Sequence, residues 1–468
     1  MSDQAMSLAD ARKDALKATA ARERLTALFD PDSFVEVGAL VKTGCDGTGV
    51  ITGYGLVEGC PVYAFSQDST VKSGAVGAAT GSKIRKIYDL AYKTGAPVVG
   101  IYDSNGAAVD EGLDAMAAYG DMLHWSNNLS GVVPQISLVL GVCAGSAAMI
   151  AASADFVVMS GKGEFYLTTA DAASASSAEE AAKTGVAHIV ETEEADAIKA
   201  ARTLISMLPS NNLSAPPVCD FSAVSGAEAA LSAAAADIGA ADIFEIAKNV
   251  VDADSLVELQ KEYSTCGAKV GLATLAGSTV GVVAASNGGT ICSGGASKIA
   301  RFVAICDSFQ IPVVTFVNAA AFAPLPNHGF RGGVREVAKL AHVYAEATTP
   351  KIAVVVGKAY GSAYIALAGR GASADLTVAW PCATISALSP ETAVAFMYGD
   401  RITADKSRAQ VEAEYAANDA GALAAAAKGH IDDVIDPAET RGVVLSAIDM
   451  LAGKRITTLP KKHANIPM

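Results

Sequence analysis

The sequence predicts an α/β fold made of two homologous halves, and three observations carry that expectation. The first is composition: the 468 residues are 51% hydrophobic but only 6% aromatic, with 43 glycines. Much of the apolar share is therefore Ala, Val, Ile and Leu, the residues of buried parallel strands and closely packed helices. The second is alternation, because continuous apolar runs of strand length recur between helix-patterned segments. The third is an internal duplication. "GSKIRKIYDLAYKTGAPVVGIYDSNGA" (81–107) matches "ASKIARFVAICDSFQIPVVTFVNAAAF" (296–322), with Lys83 and Lys298, and again Pro97 and Pro312, 215 residues apart. "PQISLVLGVCAGSA" matches "PKIAVVVGKAYGSA" through Pro134 and Pro350, and through Gly145 and Gly361, at a spacing of 216. "SADFVVMS" then meets "SADLTVAW", with Asp155 and Asp375 220 apart. A shared spacing with one small slip marks two copies of one unit.

Each copy reads in the same order. In the first, "SKIRKIYDLAYK" is a helix, "APVVGIYD" an apolar strand, and "EGLDAMAAYGDMLHWSNNLS" a loop and helix. "QISLVLG" is the next strand, "SAAMIAAS" a helix and "DFVVMS" a strand. The uncharged run from Val132 to Ala154 is long enough to raise the question of a membrane span. Pro134, Gln135 and several Gly and Ser interrupt it. Its first half is β-branched and its second Ala-rich, so it reads as a buried strand followed by a buried helix. "LPSNNLSAPPV" (208–218), rich in Pro, Ser and Asn, reads as a linker. The boundary is placed near residue 225, giving halves 1–224 and 225–468.

A net charge of −14 and a pI of about 4.9 argue against a general binder of nucleic acid or anionic membrane. The eight cysteines (Cys45, Cys60, Cys143, Cys219, Cys266, Cys292, Cys306, Cys382) form no C-x-x-C pair. No zinc ribbon or other metal site is therefore expected, and reduced thiols in a cytoplasmic protein are the default. The N-terminal stretch "MSDQAMSLADARKDALKATAARERLTALF" is charged and helical in pattern and lacks the apolar core of a signal peptide.

The feature that points to chemistry is a turn made twice. In "GVCAGSAAM" (141–149) and "GKAYGSAYI" (357–365) a strand ends, a short glycine turn comes next, and a helix starts near Gly-Ser-Ala. N–H groups at a helix start lack an intrahelical acceptor, and the helix dipole adds positive potential there. Small residues let a ligand approach that backbone, so each turn suits an anion. A nucleophile elbow would read G-x-S-x-G, but Ser146 sits in "AGSAA" and Ser362 in "YGSAY". None of His124, His188, His328, His342, His430 and His463 has an obvious matching position in the other copy. No G-x-x-x-x-G-K-[ST] phosphate loop occurs. Tight strand–helix packing alone would also use Gly and Ala. Recurrence at equivalent positions favours function.

These stretches resemble the carboxyltransferase subunits of biotin-dependent acyl-CoA carboxylases and decarboxylases, nearly end to end. "ARERLTALFDPDSFVEVGALV" is similar to the family's N-terminal segment and "SQDSTVKSG" to its next signature. "KTGAPVVGIYDSNGAAVDEG" resembles K-T-G-A-P-V-I-G-x-x-D-S-G-G-A-R-x-x-E-G, and "SGVVPQISLVLGVCAGSA" the pattern ending G-P-C-A-G-G-A. "AKLAHVYAEATTPKIAVVVGKAYGSAY" resembles the pattern ending R-K-A-Y-G-G-A-Y, and "ADLTVAWPCATIS" the motif A-D-x-x-x-A-W-P. The departures are Ser for the second Gly of each turn, Ala108 for the family's Arg, "NAAAF" (318–322) for D-V-P-G-F, and "LSPETAV" for G-x-E-G-A-V.

The resemblance implies two duplicated crotonase-like (ββα spiral) domains, with acyl-CoA on the N-terminal half and biotin on the C-terminal half. It also implies a dimer to hexamer, with the site between the N-half of one subunit and the C-half of its partner. It assigns the backbone at Gly145 and Ser146 to the thioester oxyanion. Ser362 and Ala363, with Gly361 shaping the turn, fall to the biotin oxygen. Lys72, Lys83, Arg85 and Lys86 are the cations expected at the CoA phosphates, a solvated helix face being the other account of the last three. Gly106 and Ala107 are added as binding residues, together with Tyr364, Trp380 and Pro381 around biotin; a buried Trp is as often simple core. Biotin would arrive on a separate biotin carboxyl carrier protein, since no biotinyl-lysine motif is present. Biotin carboxylase or a membrane decarboxylase subunit would be the further partner, and the chain would be cytoplasmic or peripheral to a membrane pump. Acetyl- or propionyl-CoA carboxylation is the leading reaction, and decarboxylation of methylmalonyl-, malonyl- or glutaconyl-CoA the alternative. A biotin-independent crotonase-type hydratase or hydrolase would need a carboxylate at the first turn, for which Asp110 and Glu111 are the neighbours. A non-catalytic CoA-binding paralogue is the last reading.

Overall fold

The computed structural model describes residues 7–43, 46–168, 176–265, 267–324, 332–456 and 459–467. The chain divides into two units, Met1–Pro217 and Val218–Met468. The division falls inside the Pro/Ser/Asn-rich segment and a few residues before the expected boundary. Residues 218–224 belong to the second unit because Cys219 N–H donates to the Gly277 carbonyl at 3.0 Å and Ala223 bridges Asp252.

In the first unit the order is α1 (Ala20–Leu28), β1 (Val35–Glu36), β2 (Val50–Val57), β3 (Cys60–Gln67), α2 (Ala78–Thr94), β4 (Val98–Ser104), α3 (Leu113–Leu129) and β5 (Gln135–Ala144). It continues through α4 (Ser146–Ala152), β6 (Phe156–Ser160), β7 (Glu164–Tyr166), α5 (Ala178–Thr184), β8 (Ile189–Glu191) and α6 (Glu194–Met207). The sheet order is β1-β2-β3-β4-β5-β6-β8, with β7 pairing on the far end of β5. β1 to β3 pair antiparallel, and β3 through β8 pair parallel. The second unit repeats this plan with α7 (Ala227–Ala236), α8 (Ile243–Val250), β9 (Val257–Leu259), β10 (Ala268–Leu275), β11 (Ser278–Ala285), α9 (Ser293–Ser308), β12 (Val313–Ala319) and α10 (Gly333–Glu346). It goes on through β13 (Lys351–Tyr360), α11 (Gly361–Leu367), β14 (Leu376–Ala379), β15 (Thr384–Ser386), α12 (Pro390–Met397), α13 (Arg408–Asn418), α14 (Ala422–Ala427), β16 (Asp433–Val434) and α15 (Thr440–Leu451). Its order, β9-β10-β11-β12-β13-β14-β16 with β15 on β13, is the same. The duplication and the α/β class expected from sequence are both present.

Every residue of β4 and of β12 is buried, as parallel strands covered on both faces require. The run from Val132 to Ala154 is β5 followed by α4. Among the described residues no helix is long and apolar enough to cross a membrane. The ties between elements also recur. The Asp155 carboxylate accepts from Gln135 N–H at 2.8 Å while Asp155 N–H returns a bond to Gln135 O, and Asp375 does the same with Lys351. Arg202 reaches the Leu28 carbonyl and the Asp30 carboxylate; Arg441 reaches the Val250 carbonyl and the Asp252 carboxylate. Cys60, Cys143, Cys219, Cys306 and Cys382 are free thiols, whereas Cys292 is disulfide-bonded, so the expectation of reduced thiols does not hold for that residue. Cys45, Cys266 and His328 lie outside the described residues.

Candidate active site

The first turn is built where β5 hands over to α4. Gly145 has φ +64° and ψ −132°, a conformation that suits glycine, and nothing lies within 4 Å of where a Cβ would sit. Its requirement for glycine is thus torsional. Its own N–H is committed, donating to the Tyr166 carbonyl of β7 at 3.0 Å, and its carbonyl accepts from Ala148 N–H. Gly145 therefore shapes the turn, and of the expected pair its N–H is already engaged. The N–H groups of Ser146 and Ala147, at the start of α4, have no acceptor among the described residues. In the second unit Gly361, with φ +49°, opens α11 beside the Ala387 carbonyl. Ser362 and Ala363 are the second and third residues of α11, and their N–H groups likewise have no acceptor among the described residues.

Neither Ser146 nor Ser362 has a positive φ, so a Cβ enters each helix start without backbone strain. Both serines are exposed, and neither hydroxyl bonds to a histidine or to any other described residue. A Ser–His nucleophile is therefore not assembled here.

The flank of the first turn comes from two loops laid side by side. Val76 N–H donates to Gly106 O and Ala108 N–H to Val76 O, both at 2.9 Å, and Asn105 N–H donates to Ser73 O. Gly106 (φ +110°) stands next to the end of β5, since a Cβ on it would lie 3.6 Å from the Ala144 carbonyl. Gly106 is thus brought to the end of β5, while Ala107 bridges Val76. Lys72, Ser73 and Gly74 take successive φ values of +48°, +56° and +68°, an accumulation of left-handed backbone that only a closely held loop sustains. Lys72 Nζ lies 3.1 Å from the Asp110 carboxylate, which that ion pair holds below the usual carboxylate range. Glu111 accepts from Ala78 N–H at 2.7 Å and so caps the start of α2. Both carboxylates near the first turn are engaged elsewhere.

Three expected ligand residues have other duties. Lys83 is buried, its ammonium donates to the Val50 carbonyl at 2.7 Å, and burial pushes its pKa down to about 8. Its counterpart Lys298 bonds the Gln260 and Ala268 carbonyls and is likewise pushed down to about 8. Each lysine ties a helix to a strand, so Lys83 is removed from the phosphate-binding set. Arg85 and Lys86 stay exposed beside a cavity of about 480 Å³ that Trp125 also lines, each near an aspartate of its own surface (Asp121 and Asp89). Trp380 is fully buried with Nε1 bonded to Thr440 Oγ1 at 2.9 Å, which makes it core and not a ligand wall; Pro381, next in sequence, is exposed. The Tyr364 hydroxyl donates to the His430 carbonyl.

Sequence reasoning missed a pair lying just behind the turns. Asp103 and Asn318 are buried at equivalent places in β4 and β12, beside Gly141 and Gly357. The available signal was a glycine four residues before each turn glycine, in "GVCAG" and "GKAYG".

A carboxyl transferase domain matches residues 17–466. The methylmalonyl-CoA decarboxylase subunit alpha of Veillonella parvula is 36% identical over 96% of this chain and 93% of its own length. The propionyl-CoA carboxylase beta chain of Saccharopolyspora erythraea is also 36% identical, over 96% of this chain and 90% of its own. Among solved structures, the transcarboxylase 12S hexamer with methylmalonyl-CoA and methylmalonic acid bound superposes with a TM-score of 0.88. It is 35% identical, covering 98% of this chain and 94% of that one. The chain belongs to the carboxyl transferase family. Its relatives there include a propionyl-CoA carboxylase beta chain and a methylmalonyl-CoA decarboxylase subunit alpha.

Proposed function

We propose that this chain moves a carboxyl group between N1 of carboxybiotin and the α-carbon of a short-chain acyl-CoA, with propionyl-CoA and methylmalonyl-CoA as the pair. The observation that carries the reading is the repeated turn, in which two helix starts each present N–H groups without acceptors beside a glycine with positive φ. Transfer develops negative charge on two oxygens, that of the thioester and that of the biotin ureido group. Two preorganised donor sets match two oxyanions, and one such donor supplies on the order of 3 kcal/mol of transition-state stabilisation.

The open space beyond Gly145 and the uncommitted N–H groups fit these groups without added residues. Carried on a separate chain, biotin supplies the carboxyl group and a ring nitrogen able to take the α-proton. Ser146 and Ala147 N–H donate to the thioester oxygen, with Gly106 and Ala107 beside them. Ser362 and Ala363 N–H donate to the ureido oxygen, with Gly361 setting their direction. Lys72, Arg85 and Lys86 supply positive charge toward the CoA phosphates. No acid–base side chain is required, which agrees with the engagement of Asp110 by Lys72 and of Glu111 at the start of α2 and counts against a hydratase.

Assembly into a dimer or hexamer belongs to the same proposal. So do the partners, a biotin carboxyl carrier protein with biotin carboxylase or a membrane decarboxylase subunit, and a cytoplasmic location. The test incubates pure protein with methylmalonyl-CoA and free biotin. Biotin-dependent release of CO2 is expected. Absence of turnover with methylmalonyl-, malonyl- and glutaconyl-CoA, together with absence of CoA binding by calorimetry, overturns the reading. Turnover of acyl- or enoyl-CoA without biotin transfers it to the hydratase class.

A further inference from the structure

We propose that Asp103 and Asn318 are paired positioning residues, each plugging a sheet bulge that aims one of the two turns. We also propose that the N-terminal plug is held by charge and the C-terminal plug by a neutral amide. That the turns bind oxyanions rests on the function proposed above; that the plugs set the turns does not.

The bulges are visible in the strand register. Between β4 and β5, Tyr102 faces Val139 but Ser104 faces Cys143, so Asp103 stands opposite three residues, Leu140 to Val142. Between β12 and β13, Val317 faces Val355 but Ala319 faces Ala359, so Asn318 stands opposite Val356 to Lys358. Such bulges bend a strand and re-aim the chain beyond it, and here the turn glycine lies four residues past the bulge glycine. In the second unit the plug fills the gap left by the missing ladder bonds. Asn318 Oδ1 accepts from Lys358 N–H at 2.9 Å, and its carbonyl accepts from Gly288 N–H. A Cβ on Gly357 would come within 2.3 Å of that Oδ1, and one on Gly141 within 2.2 Å of Asp103 Oδ1. The two plugs thus occupy the same seat.

The support of each plug differs. Asp103 Oδ2 accepts from Arg24 Nη1 at 2.8 Å and Ser69 Oγ at 2.9 Å, and Arg24 makes two further bonds to Glu194. Leu28 and Asp30 meet Arg202 as Val250 and Asp252 meet Arg441, and both pairs are 222 residues apart. The residue 222 beyond Arg24 is Ile246, which is buried. A buried carboxylate without its cation is costly, so the unit with Ile in place of Arg carries the amide in place of the acid. Charge and partner thus differ together between the two units.

The experiment combines kinetics with structure. Asp103→Ala and Asn318→Ala each remove a plug, and a displacement of about 1 Å at a donor lowers kcat about 100-fold. KM for methylmalonyl-CoA and for biotin stays within about threefold, because the donors act on developing charge in the transition state. Arg24→Ile alone strands the Asp103 charge and lowers both kcat and melting temperature. Adding Asp103→Asn copies the C-terminal pairing and brings kcat back to within about tenfold of wild type. Crystal structures of the alanine variants show the Gly145 or the Gly361 turn shifted in the mutated unit alone. Unmoved turns overturn the proposal even when kcat falls, and so does kcat per folded molecule unchanged in both alanine variants. A double variant no better than Arg24→Ile overturns the charge switch. A wild-type chain without biotin-dependent turnover overturns the functional reading instead, and the turn positions then decide the plugs by themselves.

Discussion

Replacing Ser146 by proline deletes one N–H and little else, which makes it a sharp test of the donor role. Ser146 is the first residue of α4, the helical position where proline is most readily accepted. Its N–H has no acceptor among the described residues, so no protein hydrogen bond is lost. The residue before it is Gly145, which lacks the Cβ that proline would otherwise crowd, and the space around it is open. Stability is therefore expected to change by no more than about 0.5 kcal/mol, the range of ordinary surface substitutions. Loss of one oxyanion donor costs about 3 kcal/mol of transition-state stabilisation, a fall in kcat of about 100-fold or more. Biotin-dependent CO2 release from methylmalonyl-CoA measures it, with a thermal melt on the same sample. Ser146→Ala, which keeps the N–H, is the control and stays within about threefold of wild type. A proline variant that melts normally and retains wild-type kcat refutes the reasoning. An alanine variant that loses activity, and is not restored by Ser146→Gly, shows instead that the hydroxyl is the reacting group.

Three further outcomes are expected. Enlarging both turns with Ser146→Val and Ser362→Val abolishes transfer while the circular dichroism spectrum stays that of wild type. Lys83 and Lys298 have folded pKa values of about 8, below the unfolded value of 10.5, so the unfolded chain binds more protons between those limits and stability rises with pH across that window. Each contributes at most about 3 kcal/mol. The wild-type urea midpoint gains from pH 7.5 to 9.5 relative to a Lys83→Met/Lys298→Met variant, and a difference constant with pH refutes it. Trp380→Phe loses the bond to Thr440 and lowers the melting temperature but leaves the biotin KM unchanged; a raised KM would return Trp380 to the ligand wall.

The architecture was legible because duplication doubles every signal. Alignment of "SKI" with "SKI" and "SAD" with "SAD" located matched helices and strands, and the structure gives a physical reason for each triplet. The lysine of the first ties a helix to a strand, and the aspartate of the second exchanges bonds with the strand start at Gln135 or Lys351. The same success misled the reading of Lys83. A lysine among the charged residues of a helix looks like a surface cation, and one residue of register decides whether it faces water or a carbonyl in the core. Trp380 failed similarly, since its indole finds Thr440, 60 residues later, a partner that no local pattern announces. The committed N–H of Gly145 could not be read either, because its acceptor belongs to β7, across the turn.

One rule separates the features the two units share from those they do not. Shared features are those that fix backbone: the buried lysines, the reciprocal aspartate bonds, the arginines across Asp30 and Asp252, and the bulge glycines under Asp103 and Asn318. Side chains facing outward from the turns are free to differ, as Met149 and Ile365 do at matched, exposed positions of α4 and α11. The serines belong to this outward set by geometry although they are shared. Each comes directly after the turn glycine, each hydroxyl is without a described partner, and neither backbone is forced into positive φ. Serine where the family pattern has glycine therefore leaves the donors in place and adds bulk and a hydroxyl at the mouth of each cradle. On the function proposed above, that change acts on the groups that approach the N–H donors, so its expected effect is on substrate choice and not on the existence of the two cradles.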